Sequence, residues 1–165
     1  MQPDWTTPDL YDEHGERVRT CGIQFRSFGK RGRFCGRIAT VQCADDNTFV
    51  RKALEEPGEG RVLVVDGGGS MRCALLGGNI AELAAGNGWA GVVLNACVRD
   101  VGEIAAADIG VFAIGTNPAK SRKQSSGVRQ AELVFGGAAF RPGDWVYCDE
   151  NGILVSPEPL LAPAG

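Results

Sequence analysis

Residues 77–100 read GGNIAELAAGNGWAGVVLNACVRD, and this stretch decides the architecture. Gly77-Gly78 opens a segment in which Ile80, Leu83 and Ala84 recur at helical spacing. Gly86-Asn87-Gly88 stops that segment, and Gly91 to Ala96 follows as a short apolar run. A helix feeding a buried strand is the repeating unit of an α/β layer. In such a layer a helix N-terminus and the end of the following strand share one rim of the sheet, where ligands bind. That rim would gather the turn Gly77-Gly78-Asn79-Ile80 with its amides, the Arg99 guanidinium and the Asp100 carboxylate. Helix amides and an arginine suit a small carboxylate, and an aspartate is a hard oxygen ligand for Mg²⁺ or Mn²⁺. The constellation predicts a site for a small keto acid chelated to a divalent metal.

Outward from this stretch the alternation of elements continues. Phe34 to Cys43 alternates apolar and polar positions as a strand does, and Asp45 or Asp46 can cap a helix that runs to Glu56 before Pro57-Gly58. Arg61 to Asp66 is a buried strand broken by Gly67-Gly68-Gly69, and a short helical turn is expected over 70–76. Asp100 can cap a brief helix through Ala107, Gly110 to Gly115 forms another strand, and Thr116 to Ser126 is a polar loop. Short strands follow at 131–135, 138–140, 144–148 and 153–155, with Asn151-Gly152 as a hairpin signal. Residues 1–32 read as an acidic then basic, glycine-rich lead-in, and the proline-rich tail after Ser156 as frayed. Together these elements predict one layered α/β domain over 1–165 with a mixed sheet.

Composition narrows the function. The 165 residues are 44% hydrophobic and 22% charged, enough for a sizeable core. A net charge of −3 argues against a dedicated nucleic-acid surface, and the run Lys120-Ser121-Arg122-Lys123 reads as a solvated loop. No apolar run approaches the ~18 residues of a membrane span, and Met1-Gln2-Pro3-Asp4-Trp5 carries no leader pattern. The six cysteines form no C-x-x-C pair, which predicts free thiols in a cytoplasmic protein. The single histidine, His14, reads as solvated and supports neither a zinc site nor a catalytic triad. Val64-Val65-Asp66-Gly67-Gly68-Gly69 imitates a nucleotide-binding turn, but Arg72 stands where the third glycine of that fingerprint belongs.

Further motifs, in order, carry a family resemblance. Ala74-Leu75-Leu76-Gly77-Gly78-Asn79-Ile80-Ala81-Glu82-Leu83-Ala84, Asn87-Gly88-Trp89-Ala90-Gly91 and Val98-Arg99-Asp100 resemble the RraA-like superfamily. So do Asp108-Ile109-Gly110-Val111, Gly115-Thr116-Asn117-Pro118 with Lys120-Ser121, Phe135-Gly136-Gly137 and Asp149-Glu150-Asn151-Gly152-Ile153. Upstream, Phe34-Cys35-Gly36 and Asp46-Asn47 extend the match, which runs from about Pro8 to Ser156. This group joins the regulator of ribonuclease activity A to the 4-hydroxy-4-methyl-2-oxoglutarate aldolases.

The resemblance implies a swivelling β/β/α-type domain in a ring-shaped homotrimer or a dimer of trimers. It implies Mg²⁺ or Mn²⁺ on Asp100, and pyruvyl groups on Arg99 and on the turn Gly77 to Ile80. The implied reaction is retro-aldol cleavage to pyruvate, with oxaloacetate decarboxylation beside it, both through a pyruvate enolate. The other branch implies a protein that docks on ribonuclease E or a helicase and lowers RNA processing without touching RNA. The aldolases carry an aspartate twenty-one positions before the arginine, where this chain has Gly78. Some aldolases also bring a glutamate from a neighbour's C-terminal extension, whereas this chain stops soon after Val155. The regulator branch can lack the metal-binding aspartate, whereas Asp100 is present.

Overall fold

The apolar runs of the middle third are buried on both faces, and so they become neighbouring parallel strands. A computed structural model describes residues 4–162; Met1-Gln2-Pro3, read above for a leader, lies outside them. Four parallel strands are β3 (Phe34–Gln42), β4 (Val62–Leu76), β5 (Gly91–Val98) and β6 (Gly110–Thr116). Helices α2 (Thr48–Glu55), α3 (Gly78–Gly86) and α4 (Val101–Ala106) connect them. Along each strand the side chains alternate. Leu63, Val65, Val92, Leu94, Val111 and Ala113 meet Val50, Leu54, Ala81, Ala84 and Ile104 of the helices.

The opposite face (Val62, Val64, Val93, Phe112) packs on an antiparallel layer. That layer is built from β10 (Trp145–Asp149) and β11 (Gly152–Ser156), whose pairing bears out the hairpin signal at Asn151-Gly152. β3 joins the two layers: residues 34–37 pair with β10 and residues 38–42 with β4. Short strands β8 (Leu133–Phe135) and β9 (Ala138–Phe140) add Phe135 and Phe140 to this second core. The chain is therefore a mixed α/β domain with a mixed sheet, as its element pattern predicts.

Four local expectations are corrected. Residues 70–76 are not a helical turn; they prolong β4, with Ser70, Ala74 and Leu76 pairing with Ala96, Cys97 and Val98. Gly68 and Gly69, at φ 68° and 72°, form irregularities that let the strand continue instead of breaking it. The ladder offered by β5, itself longer than expected, outweighs a local helical turn. The lead-in is also structured. α1 (Thr7–His14) seats Leu10 beside Trp5 against Tyr147 and Leu154, and β1 (Arg19–Cys21) pairs with β11. β2 (Arg26–Ser27) pairs with β6.

His14 is not solvated: its side chain is 12% exposed, and its Nδ1 lies 3.0 Å from Arg17. The described part of the tail is held rather than frayed, since the Leu160 amide donates to the Tyr147 hydroxyl at 2.7 Å. A last short strand, β7 (Val128–Arg129), pairs with β3. None of the helices among the described residues is long and apolar enough to cross a membrane.

Buried Asp149 fastens α1 to this frame. It accepts the Thr7 amide and hydroxyl, each at 2.7 Å, and the Asn151 amide at 2.9 Å. Burial pushes its pKa up, but these donors outweigh burial and hold the carboxyl below the usual range. A depressed folded pKa contributes stability above the unfolded value of about 3.9 and loses it as pH falls through the folded value. Asp149→Asn should therefore cost roughly 1.5–3 kcal/mol at neutral pH. The gap to the natural protein should narrow in urea titrations as pH falls below the usual carboxylate range. A gap of equal size at both ends would show that the carboxylate's charge is not what holds α1.

Candidate functional site

Parallel strands β4 and β5 finish side by side. Leu76 pairs with Val98, and the Arg99 amide donates to the Leu76 carbonyl at 3.0 Å. The chain leaving β4 turns at Gly77 into α3, while the chain leaving β5 presents Arg99 and Asp100 before α4. The helix N-terminus and the Arg-Asp pair thus meet on one rim. Gly77, Asn79, Ile80, Arg99 and Asp100 line one cleft of about 100 Å³. A wider hollow of about 340 Å³ lies on the other side of Arg99 and Asp100, between Val98, Val101 and Pro118. Gly78 does not line the cleft, but its amide donates to Asp100 Oδ2 at 3.1 Å.

The Asp100 carboxylate is aimed by its own backbone. Asp100 occupies the left-handed region at φ 58°, ψ 46°, an uncommon and costly conformation for a residue with a side chain. It holds the N-cap position of α4, as expected, and its carbonyl accepts the Ile104 amide at 3.0 Å, but its side chain makes no cap bond because the first turn of α3 engages it. Gly77 makes this approach feasible: a Cβ there would stand 2.8 Å from Asp100 Oδ2 and 3.6 Å from the Arg99 side chain.

Arg99 donates to the Pro118 carbonyl at 3.3 Å and has no acidic partner among the described residues, so its fork faces the cleft with capacity to spare. In the first turn of a helix the amides have no intrahelical acceptor, and this applies to Asn79 and Ile80. The partial positive charge of the helix end adds to the arginine.

Sequence reasoning missed the opposite wall. Asn47, Arg51, Lys120, Ser121 and Lys123 close it, so the expected solvated loop is part of the cleft. The loop is fixed by the Ala74 amide on the Ala119 carbonyl at 2.8 Å and by the Gln124 amide on Asp46 Oδ2 at 2.7 Å. Burial opposes ionisation of Asp46, but donors from Thr48, Gln124 and Ser126 outweigh it and keep its pKa low. Asp46 also takes the Thr48 amide at 2.9 Å at the start of α2, whereas Asp45 turns away to Ser70 and Arg72. The signals for this wall were Asp46-Asn47 and Lys120-Ser121. Both sat in the motif pattern, but nothing in it said that they face Arg99.

The chemistry open to this site is that of oxyanions and a hard cation. Among the described residues no three His, Cys, Asp or Glu side chains gather to hold a metal ion. A single carboxylate still fits Mg²⁺ or Mn²⁺, because Mg²⁺ is typically held by one or two carboxylates and otherwise by water and substrate oxygens. Asp100 keeps acceptor capacity for such an ion beyond its bond to Gly78. Thiol chemistry has no support. All six cysteines are free, and Cys43 is pushed up to about 12 by burial and then by Asp46 and Asp66. The glycine-rich Asp66–Gly69 run lies inside a strand that leads into no helix at that point, so it offers no pyrophosphate cradle.

Comparison with known proteins shows the family and the fold. The model of the RraA-like family, described as Aldolase/RraA, matches residues 7–155. A relative from Laribacter hongkongensis is 51% identical over 96% of this chain and 99% of its own. One from Alkalilimnicola ehrlichii is 52% identical over 94% and 96%; both carry the provisional name 4-hydroxy-4-methyl-2-oxoglutarate aldolase. Among solved structures, the RNA-processing inhibitor RraA from Thermus thermophilus superposes with a TM-score of 0.92 at 45% identity, covering 99% of this chain and 97% of that one. A Geobacillus kaustophilus structure described as an S-adenosylmethionine:2-dimethylmenaquinone methyltransferase reaches 0.94 at 46% identity, covering 98% and 100%.

The seating of Asp100 against Gly77 can be checked without any ligand. Gly77→Ala should force the carboxylate to rotate off the Gly78 amide while the domain stays folded. The expected signs are faster hydrogen exchange at the Gly78 amide and a stability loss of roughly 1–3 kcal/mol. An unchanged exchange rate would mean that the missing side chain at 77 does not set the position of Asp100.

Proposed function

The chain belongs to the RraA-like family, and on that premise we propose that it is a divalent-metal-dependent lyase of the 4-hydroxy-4-methyl-2-oxoglutarate aldolase type. Its reaction is retro-aldol cleavage to pyruvate, with oxaloacetate decarboxylation as a side activity. One observation carries the reading: an arginine with no acidic partner among the described residues stands beside an aspartate that the first turn of a helix holds in place. Arg99 grips the carboxylate and keto oxygens of the substrate as a planar fork, and the amides of Asn79 and Ile80 add donors on the same side. Asp100 would hold Mg²⁺ or Mn²⁺, whose contribution when bound is Lewis-acid polarisation of the keto group. Lys120 and Lys123 make the far wall cationic, which suits a substrate with a second carboxylate. Both reactions need the same service from these residues, namely stabilisation of a pyruvate enolate.

A homotrimer or a dimer of trimers fits the surface. Val101, beside the wider hollow, is 45% exposed and Met71 is 51% exposed, so a neighbouring copy could cover both. The resemblance to the Thermus RNA-processing inhibitor favours a second reading, a non-catalytic regulator that binds ribonuclease E or a helicase. The methyltransferase description of the Geobacillus structure does not transfer, because the glycine run of this chain stays within β4.

Pyruvate release from the methyl-oxoglutarate aldol and from oxaloacetate, with and without Mn²⁺, decides between lyase and regulator. Metal-dependent release is expected. Asp100→Asn should abolish it, and Arg99→Lys should lower kcat/KM by on the order of 10²-fold or more, because a point charge cannot replace the fork. A folded natural chain that releases no pyruvate under any of these conditions would leave the regulator reading standing.

Light scattering should give a mass of three or six copies of the 17.4 kDa chain. A concentration-independent monomer would refute the ring.

A further inference from the structure

Among the described residues only two buried side-chain polar atoms have no hydrogen-bond partner, His14 Nε2 and Arg19 Nε. Both are donors. A guanidinium can only donate, so the Arg17 nitrogen 3.0 Å from His14 Nδ1 makes that ring atom an acceptor and leaves the ring proton on Nε2. Glu13 is exposed, and its carboxylate stands 3.9 Å from Nε2, beyond hydrogen-bond reach. Arg19 spends one terminal nitrogen on the Ala139 carbonyl and on Asp144 Oδ2, each at 3.0 Å, and its Nε–H is left over. Buried polar groups are paired in nearly all folded proteins, so two orphaned donors in one place call for an acceptor.

Both side chains line one cavity of about 480 Å³, which shares no residue with the cleft of Arg99 and Asp100. The end of α1 and the start of β1 form one wall, and residues 156–160 form the other. That second wall is held in place: Ser156 Oγ donates to the Glu158 carbonyl at 2.7 Å, and the Leu160 amide is bound by Tyr147. Arg17 is exposed and adds a guanidinium with no acidic partner among the described residues. Three sets of N–H donors thus border one space, which suits an oxyanion. Glu16 and Glu158 also border it, so a multiply charged anion meets repulsion that a single carboxylate largely escapes. Pro157, Pro159 and Leu160 supply an apolar surface for a short hydrocarbon body.

We propose that this cavity is a second binding site, for a small monocarboxylate with a short apolar body. The carboxylate oxygens accept from His14 Nε2, Arg19 Nε and the Arg17 guanidinium, and the body lies on the proline-lined wall. The two orphaned atoms are closed off from solvent, so entry moves a side chain of the wall. Arg17, exposed and in contact with the His14 ring, is the one free to move. The site does not depend on the lyase reading, since none of its residues belongs to the cleft.

The chain has a single histidine, so isotope labelling of histidine gives magnetic resonance signals that report on this wall alone. Titration of the full chain with sodium butyrate at fixed ionic strength should move the His14 Nε2 signal saturably, with a Kd on the order of 1 mM or tighter. Acetate, with less apolar body, should bind more weakly, and inorganic phosphate more weakly than butyrate. Arg17→Gln, an exposed change, should weaken butyrate by about tenfold or more. Arg19→Lys keeps a cation for Asp144 but removes the Nε–H, and should weaken it as well. Arg99→Ala should leave the titration unaltered. No saturable movement with butyrate would overturn the proposal, and so would unchanged binding in Arg17→Gln and Arg19→Lys. Loss of the signal change in Arg99→Ala would place the anion in the cleft instead, and tighter binding of phosphate than of butyrate would refute the monocarboxylate class.

Discussion

The amide of Gly78 donates to the carboxylate of Asp100, and the arrangement of the rim depends on that contact. It ties the first turn of α3 to the residue that precedes α4, so two of the three helical crossovers of the central sheet meet in a polar contact. The contact exists because β4 and β5 stop together at Leu76 and Val98 and because Asp100 accepts a left-handed backbone. A favourable charge–dipole interaction between a carboxylate and a helix N-terminus offsets part of that conformational cost. Arg99, one residue earlier, is then held above the same cleft without having to pair with Asp100.

Small residues on the rim work as space rather than as hinges. Gly77 lets Asp100 and Arg99 approach, and Gly78 leaves room for Glu103. An aspartate expected at position 78 from the aldolase pattern is absent, yet a carboxylate lies over that position from α4. That carboxylate does not line the cleft, whose lining acid is Asp100 and whose backbone donors come from α3.

Charge is distributed unevenly around the cleft. Arg51, Arg99, Lys120 and Lys123 face it, against Asp100 alone among the lining acids. Arg51 is partly neutralised by Glu55 at 3.1 Å. In a chain of net charge −3 this local excess of cations is a feature of the fold rather than of the composition. It favours small polyanions and agrees with a keto diacid as substrate.

The sequence by itself determined the layered α/β class, the positions of α2, α3 and the parallel strands, and the candidate pair Arg99-Asp100. Those features are written in local periodicity, in glycine punctuation and in the order of motifs. Tertiary structure decided the rest. A short helical turn is expected at 70–76, but these residues join β4, because a neighbouring strand offers hydrogen bonds that such a turn cannot match. Residues 1–32 look polar, yet α1 is fixed by a buried carboxylate 142 positions away. Lys120 and Lys123 stay exposed, as a solvated loop predicts, but the bridge to Ala74 holds their loop beside the cleft. The packing of Glu103 over Gly78 gave no local signal at all, since it depends on the absence of a side chain on another helix. Contacts between distant segments set these four features, and no window of neighbouring residues contains them.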